Sequence, residues 1–279
     1  MSVPVPALRL RPLTLMDLLD ESFRLYRANF PLLAGISVAM VIPVLVINIV
    51  AGSYNSLGFA YQQILNPLVQ TAPPPPPNFL AALVSYPVAL ALVPFQAGTL
   101  FAASVAIILG TQVTLLSALR SVLRRYWALW VLSLLTGVAG FALLCPPLGI
   151  WLLTRISMMV PVLFTEQAAI GTAVERSWRL TEHAFWRTFL LLIASLVLGW
   201  IVQASLAGVF VTLAGVFPGL VIEVRLILIV AVASLMSQLV EPLLVLAITL
   251  LYFDLRVRKE AFDLELMAYQ LALAPSSET

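Results

Sequence analysis

Two charged residues stand inside long apolar segments, where a charge is costly and usually has a role: Arg155 and Glu241. Each lies eleven residues before the expected inner end of its segment, at Glu166 and Tyr252. At about 1.5 Å per residue, both are predicted about 16 Å above the inner membrane boundary. Equal depth and opposite sign predict an intramembrane pair. It would fasten two spans, or form a polar site on a path for a substrate, a lipid or protons, unless the side chains snorkel apart to water.

Few other residues are suited to catalysis. The chain has one histidine, His183, one cysteine, Cys145, and one lysine, Lys259, and it lacks the short motifs of zinc proteases, nucleotide-binding loops and thiol redox sites. We expect His183 at the membrane edge, in contact with solvent or headgroups, and Cys145 as a small apolar residue. The sequence therefore predicts a protein that is not an enzyme and has neither a cofactor nor a metal site.

The composition is that of an integral membrane protein. Hydrophobic residues make up 62% of the chain and charged residues only 10%, and the mean hydropathy is +1.05. Between Arg27 and Arg120 there is no Asp, Glu, Lys, Arg or His. A soluble domain could not cover its core with so few polar residues.

Six apolar segments approach or exceed the roughly 20 residues that are needed to cross a bilayer. They are predicted at about 30–51, 88–108, 126–145, 148–165, 185–209 and 226–253. Pro87 and Pro94 are expected to bend or break the outer part of the second segment, and Pro43 is a candidate kink in the first. The outer loop at 53–78 contains five consecutive prolines, which are typical of a stiff polyproline spacer.

Three shorter segments have apolar and aromatic residues on one helical face and arginines on the other. They are predicted as interfacial helices at about 14–29, 114–125 and 172–183. Thr14 is expected to cap the first, with Asp17 completing a capping box. A cytoplasmic helix is predicted at about 254–272. The basic and aromatic residues expected at the interface are Arg24, Tyr26, Arg27, Arg120, Arg124, Arg176, Trp178, Arg179, Arg256 and Arg258.

Each interfacial helix precedes two predicted spans, and the first and third copies share similar letters at Ser22-Phe-Arg-Leu and Ser177-Trp-Arg-Leu. The chain is therefore predicted to be an all-α integral membrane protein with one membrane domain, residues 1–279. Its fold would be a six-transmembrane-helix bundle built from three repeats of an amphipathic interfacial helix plus a two-span hairpin. The basic segments should share the cytoplasmic side, and six spans return both termini to it.

The basic helical faces have two interpretations. In the first, the arginines only set the orientation of the spans and anchor the helices at the interface. In the second, the helices together bind anionic lipid headgroups, or a membrane or cytoplasmic protein partner. Nucleic acid is not expected as a partner, because the basic residues are few and would lie at the membrane surface.

Three stretches carry a resemblance to a known family. They are Arg11-Pro-Leu-Thr with 17–30, Ala173-Val-Glu-Arg-Ser-Trp-Arg-Leu-Thr with Phe185-Trp, and Tyr252-Phe-Asp-Leu-Arg-Val-Arg-Lys-Glu with Phe262-Asp-Leu-Glu. Together they resemble the membrane domain N-terminal to some bacterial glycerophosphoryl diester phosphodiesterases, which also occurs as free-standing multi-pass proteins. The resemblance implies a bacterial inner-membrane protein. Only fourteen residues follow Glu265, so we expect the catalytic barrel to be absent.

Two functions fit these observations. The first is a non-enzymatic inner-membrane module that organises lipid or a protein partner at the cytoplasmic face, and the basic faces indicate it. The second is a transporter or transporter subunit with a polar intramembrane site between the fourth and sixth spans, at Arg155 and Glu241. Three tandem hairpins differ from the inverted repeats that are common in secondary carriers, which favours the first function.

Overall fold

A computed structural model describes residues 13–52, 79–215 and 222–260. Within these ranges the chain is helical and contains no β-strand. The predicted proline-rich loop at 53–78 lies outside the described residues, as does the part of the predicted C-terminal helix that follows residue 260. The all-α prediction is confirmed for the described part of the chain.

The described residues form ten α-helices, which are numbered in chain order. They are α1 Leu15–Ala28, α2 Phe30–Val50, α3 Phe79–Ile108, α4 Leu115–Arg124, α5 Tyr126–Phe141, α6 Pro146–Ile156, α7 Met159–Thr165, α8 Ile170–Thr181, α9 Phe185–Gly215 and α10 Ile222–Glu260. A single 3-10 turn, Ala142–Leu144, connects α5 to α6. The predicted order of short and long helices is therefore observed.

Six helical stretches in these ranges are long and apolar enough to cross a membrane. They are Phe30–Val50, Pro87–Ile108, Tyr126–Leu144, Pro146–Thr165, Phe185–Val202 and Leu226–Glu260. Large apolar side chains on them are exposed, among them Leu144 and Trp186, as expected for a surface that lipid covers. The predicted number of spans is confirmed by length and composition.

The three short helices α1, α4 and α8 lie within two residues of their predicted bounds. The capping box predicted at Thr14 is present, because its hydroxyl accepts from the N–H of Asp17 and the Asp17 carboxylate accepts from the N–H of Thr14. Thr114 and Ser117 form an equivalent box at the start of α4. Such caps satisfy N–H groups that the first turn of a helix leaves unpaired.

The central helix of the structure is α10, which packs against α1, α2, α3 and α9. Its 39 residues make it about 58 Å long, nearly twice the roughly 30 Å thickness of a hydrocarbon core. Most side chains from Leu243 to Phe253 are buried, so the second half of α10 forms the core of its end of the bundle. The predicted C-terminal helix continues this span without interruption as far as Glu260.

The three prolines that were predicted to kink or break a span stand inside continuous helices. Pro43 lies within α2, and Pro87 and Pro94 lie within α3, which is not broken at either position. Membrane helices tolerate proline because neighbouring groups satisfy the freed carbonyls. Near Pro94, the hydroxyl of Tyr126 on α5 donates to the carbonyl of Ala91 at 3.0 Å, next to the carbonyl of Leu90 that this proline cannot pair.

The fourth span is two helices rather than one. A turn at Ser157 and Met158 separates α6 from α7. Pro161 explains the break, since it has no N–H to donate to the carbonyl of Ser157 and its ring crowds that carbonyl. The span predicted at 148–165 is observed as Pro146–Thr165, but it is not one straight helix. The depth that was counted along it for Arg155 is therefore wrong.

Candidate functional site

Most of the charged side chains of the described residues gather at one end of the bundle. We call it the basic end and define it by α1, α4, α8 and residues 252–260 of α10. The short helices turn their apolar faces to the same core as α10, since Leu18, Ala118 and Ala173 belong to one buried cluster with Leu251. Their polar faces therefore surround the last turns of α10.

A buried carboxylate ties the start of the described chain to α9 and α10. Asp254 has a side chain that is only 1% exposed, and it accepts hydrogen bonds from Arg187 at 2.8 Å and Arg258 at 3.0 Å. It also accepts from the N–H of Leu13 at 2.9 Å, while the carbonyl of Leu13 accepts from both arginines. We call this arrangement the Asp254 clamp. Its formal charge is +1, because two arginines meet one carboxylate.

A second set of charges joins α10 to α8 and to the residue that follows α7. Arg176 donates to Glu166 at 3.0 Å and to Glu260 at 2.5 Å, and Arg256 donates to Glu260 at 3.2 Å. The hydroxyl of Tyr252 donates to Glu166 at 2.9 Å. Burial alone would lower the pKa of Arg176, but its hydrogen bonds to Glu166 and Glu260 outweigh burial and raise it. This Glu166 cluster is neutral overall.

Lys259 closes the end of α8. Its ammonium donates to the carbonyls of Arg179 at 2.9 Å and Glu182 at 2.5 Å. A cation at this position satisfies carbonyls that the last turn of a helix leaves unpaired, and it complements the helix dipole. With the other two arrangements, Lys259 makes residues 252–260 the common attachment point of α1, α8 and α9.

Arg155 has no carboxylate partner among the described residues. One of its terminal nitrogens donates to the carbonyl of Trp178 at 3.4 Å, and the guanidinium lies 5.5 Å from the ring centroid of Trp178 and 5.9 Å from that of Trp151. Its Nε is buried and has no hydrogen-bond partner. Lys259 is close enough for electrostatic repulsion. The site is a half-enclosed cation with aromatic walls and an unused donor.

The predicted pair of Arg155 and Glu241 is therefore not formed. Lys259 lies eighteen residues beyond Glu241 on α10, which is about 27 Å along a helix axis. Because Arg155 is near Lys259, it cannot share the depth of Glu241. The break at Pro161 folds α8 back against α6, so that Trp178 contacts the guanidinium instead.

Ser177 holds this fold in place. Its hydroxyl donates to the carbonyl of Arg155 at 2.7 Å and accepts from the N–H of Met158 at 3.1 Å. Both backbone groups belong to the break between α6 and α7, where the helical pattern leaves them unpaired. A fully buried serine on α8 thus fastens the interrupted span to α8 and fixes the position of Arg155.

Replacing Ser177 with alanine is expected to lower the free energy of unfolding by about 1–3 kcal/mol, because it strands a buried N–H and a buried carbonyl. Thermal unfolding of the purified protein in detergent measures the change. Ser205→Ala is the matched control, since Ser205 is exposed and its hydroxyl bonds only to the carbonyl of Ile201 in its own helix. Equal losses in the two variants would show that the bridge is not stabilising.

The ten residues predicted at the interface fall into two groups. The exposed ones are Arg24, Arg27, Arg120, Arg124, Arg179 and Arg258, and the part-buried or buried ones are Tyr26, Arg176, Trp178 and Arg256. Arg24 is paired with Glu21. Arg258 is paired with Asp254. Among the described residues, no acidic group lies within 4.0 Å of the remaining exposed arginines, which are Arg27, Arg120, Arg124 and Arg179.

Tyr26 points inward rather than outward. Its hydroxyl donates to the carbonyl of Leu239 at 2.5 Å, next to the residue whose carbonyl Pro242 cannot pair. Burial raises the pKa of Tyr26, so the hydroxyl stays a donor near neutral pH. This contact holds the end of α1 against α10.

Glu241 lies in a groove between α9 and α10. Its carboxylate accepts from the amide of Gln96 on α3 at 3.4 Å, and the amide of Gln238 flanks it on α10. The groove has a volume of about 430 Å³ and is lined by Leu196, Gly199, Trp200, Ser237, Gln238, Val240, Glu241 and Leu244. Glu241 thus faces the second and fifth spans, whereas the sequence predicted the fourth.

The Asp254 clamp and the Glu166 cluster were not predicted as units. The sequence contained a signal for them, because every second residue at the end of α10 carries a polar group: Tyr252, Asp254, Arg256, Arg258 and Glu260. Their partners are up to 241 residues away in sequence, so only the fold reveals the pairing. His183 is exposed, as expected for a residue at the edge of the bundle.

Within the described residues, no three His, Cys, Asp or Glu side chains are arranged to hold a metal ion. Comparison with protein-family models, with curated proteins and with solved structures finds no match. The resemblance to the phosphodiesterase membrane domain therefore stays a prediction. What can be said of function rests on the charges at the basic end and on the groove at Glu241.

Proposed function

We propose that this protein is a non-enzymatic, multi-pass protein of a bacterial inner membrane that organises anionic lipid at its cytoplasmic face. The basic end would be cytoplasmic, together with both termini. Alternatively, a protein partner would bind the same surface and recognise the same exposed arginines. No chemical step is assigned, because Glu166, Glu260 and Asp254 are engaged in ion pairs with arginines rather than grouped with a nucleophile.

Arg155 is the observation that carries the proposal. A guanidinium is always charged, and a half-enclosed one without a carboxylate partner is unfavourable unless an anion completes it. Its terminal nitrogens, with the neighbouring Lys259, would suit a phosphate oxygen, which accepts from arginine in a planar geometry. Trp151 and Trp178 would pack against the glycerol region, where amphipathic rings are favoured.

The exposed arginines support the same surface. Arg27, Arg120, Arg124 and Arg179 have no acidic partner among the described residues. Each basic residue near an anionic membrane surface contributes about 1 kcal/mol of attraction. Their shared end also supports the orientation, since cytoplasmic segments are enriched in arginine and lysine.

The proposal includes the three-repeat architecture. In chain order, α1, α4 and α8 each come before two spans, and each contributes apolar residues to the core at the basic end. Such an arrangement would place three basic helices around α10 on one membrane face. Duplication of one unit explains this order more simply than three independent origins.

A transporter is the second candidate, and the groove at Glu241 is the observation that favours it. A carboxyl group flanked by two amides in an apolar segment is the kind of feature that marks a substrate or proton path. The site involves the second, fifth and sixth spans, since Arg155 belongs to the basic end. Loss of transport in a Glu241→Gln variant that keeps its lipid response would favour this candidate.

Adding phosphatidylglycerol to the detergent-solubilised protein is expected to raise its melting temperature about 2–4 °C more than phosphatidylcholine does. Arg155→Gln should lower this difference, because it removes the half-enclosed guanidinium and keeps a polar side chain. Arg24→Gln is the control and should keep the difference, since Arg24 is already paired with Glu21. Equal responses to the two lipids, or an unchanged response in Arg155→Gln, would contradict the proposal.

A further inference from the structure

The groove between α9 and α10 is far from the basic end. Gly199 approaches Val240 there, twelve residues from Arg187 on α9 and fourteen from Asp254 on α10. Both counts place the groove about 18–21 Å from the Asp254 clamp. It therefore lies at the level of the apolar segments, well away from the charges that surround residues 252–260.

The polar atoms of the groove are mostly acceptors. Gln238 is only 8% exposed, and its Oε1 has no hydrogen-bond partner. Glu241 offers a carboxylate whose neighbours are the amides of Gln96 and Gln238. The hydroxyl of Ser237 already donates to the carbonyl of Ser234, so it too can only accept. No arginine or lysine of the described residues lies within 4.0 Å of Glu241.

The walls of the groove are apolar and open toward lipid. Leu196 and Trp200 are exposed, Trp200 at 71%, and Leu244 and Val240 complete the lining. Gly199 leaves the space, because a Cβ at this position would stand 3.3 Å from Val240 Cγ1. A volume of about 430 Å³ is within the usual range of small-molecule sites.

We propose that this groove binds a lipophilic organic cation that enters from the bilayer. The cation would face the carboxylate of Glu241 and the free Oε1 of Gln238, and its apolar body would lie against Leu196, Val240 and Leu244. The ring of Trp200 at the rim attracts a cation through its π face. Because the surrounding segments are apolar, this attraction is weakly screened. The inference does not rest on the proposed lipid binding at the basic end.

Equilibrium dialysis of the purified full chain with radiolabelled tetraphenylphosphonium tests the proposal. The protein is expected to bind it saturably, and Glu241→Gln is expected to weaken binding about tenfold or more. Glu182→Gln, which removes an exposed carboxylate at the basic end, should bind like the unaltered protein. Tetraphenylborate has the same shape and the opposite charge, and it should not bind saturably.

Gly199→Val provides a second variant that keeps the charge and fills the groove, so it should also weaken binding. Gly199→Val tests the proposal by itself if Glu241→Gln does not give a monodisperse protein. The proposal is overturned if the unaltered protein does not bind tetraphenylphosphonium, or if tetraphenylborate binds equally well. Unchanged affinity in a folded Glu241→Gln variant, or in Gly199→Val, overturns it as well.

Discussion

Replacing Asp254 with alanine is expected to lower the free energy of unfolding by about 3–5 kcal/mol, which would remove most of the folded protein. The carboxylate is buried and binds Arg187, Arg258 and the N–H of Leu13. Without it, two guanidinium groups would face each other with no anion between them. The yield of monodisperse protein after detergent extraction, and its unfolding by increasing sodium dodecyl sulfate, measure the loss.

Two further variants show whether the loss comes from the buried charge of Asp254 or would follow the removal of any carboxylate. Glu21→Ala removes a carboxylate whose partner Arg24 is exposed, and such pairs contribute only about 0–1 kcal/mol. Asp254→Asn keeps an acceptor for the N–H of Leu13 but loses the charge, so an intermediate loss is expected. If Asp254→Ala were no more harmful than Glu21→Ala, the clamp would not hold the basic end together.

Replacing Gly149 with alanine is expected to cost about 3 kcal/mol or more, because the first turn of α6 lies directly against the 3-10 turn before it. An added Cβ would stand 2.4 Å from the backbone nitrogen of Leu143 and 2.7 Å from the carbonyl carbon of Ala142. Backbone atoms cannot move aside as the end of a side chain can. Thermal unfolding in detergent measures the effect.

Gly137→Ala is the matched control for this effect. Gly137 lies in α5, where a Cβ would meet nothing within 4 Å, and alanine favours a helix by about 0.5–1 kcal/mol over glycine. The control is therefore expected to be neutral or stabilising. A comparable loss in both variants would mean that the close approach at Gly149 has no energetic consequence.

The spans and the short helices could be predicted because they depend on local properties. Runs of apolar residues have to be long enough to cross the bilayer, and Thr14 with Asp17 satisfies N–H groups of its own first turn. The break in the fourth span also had a local signal, since Pro161 removes the hydrogen bond to Ser157. The depth predicted for Arg155 assumed a straight helix and did not take that proline into account.

The Arg155–Glu241 pair could not be judged from the sequence, because depth was counted along helices assumed to be straight. The path of α8 back against α6 depends on the contact of Ser177 with the break, which joins residues nineteen and twenty-two positions apart. Likewise, Leu13 and Arg187 bind Asp254 although they are 241 and 67 residues away from it in the sequence, so only the packing brings them together. For both Arg155 and Asp254, the neighbours of the charged group are set by contacts between distant parts of the chain.

The central claim is that an anionic headgroup completes the site at Arg155. A structure of the protein in nanodiscs that contain phosphatidylglycerol, at a resolution that shows bound headgroups, tests it most directly. The account predicts a phosphate oxygen about 2.7–2.9 Å from a terminal nitrogen of Arg155, with Trp151 and Trp178 beside the lipid. A carboxylate of the protein bound to this guanidinium, or a guanidinium that faces only water or acyl chains, would contradict it.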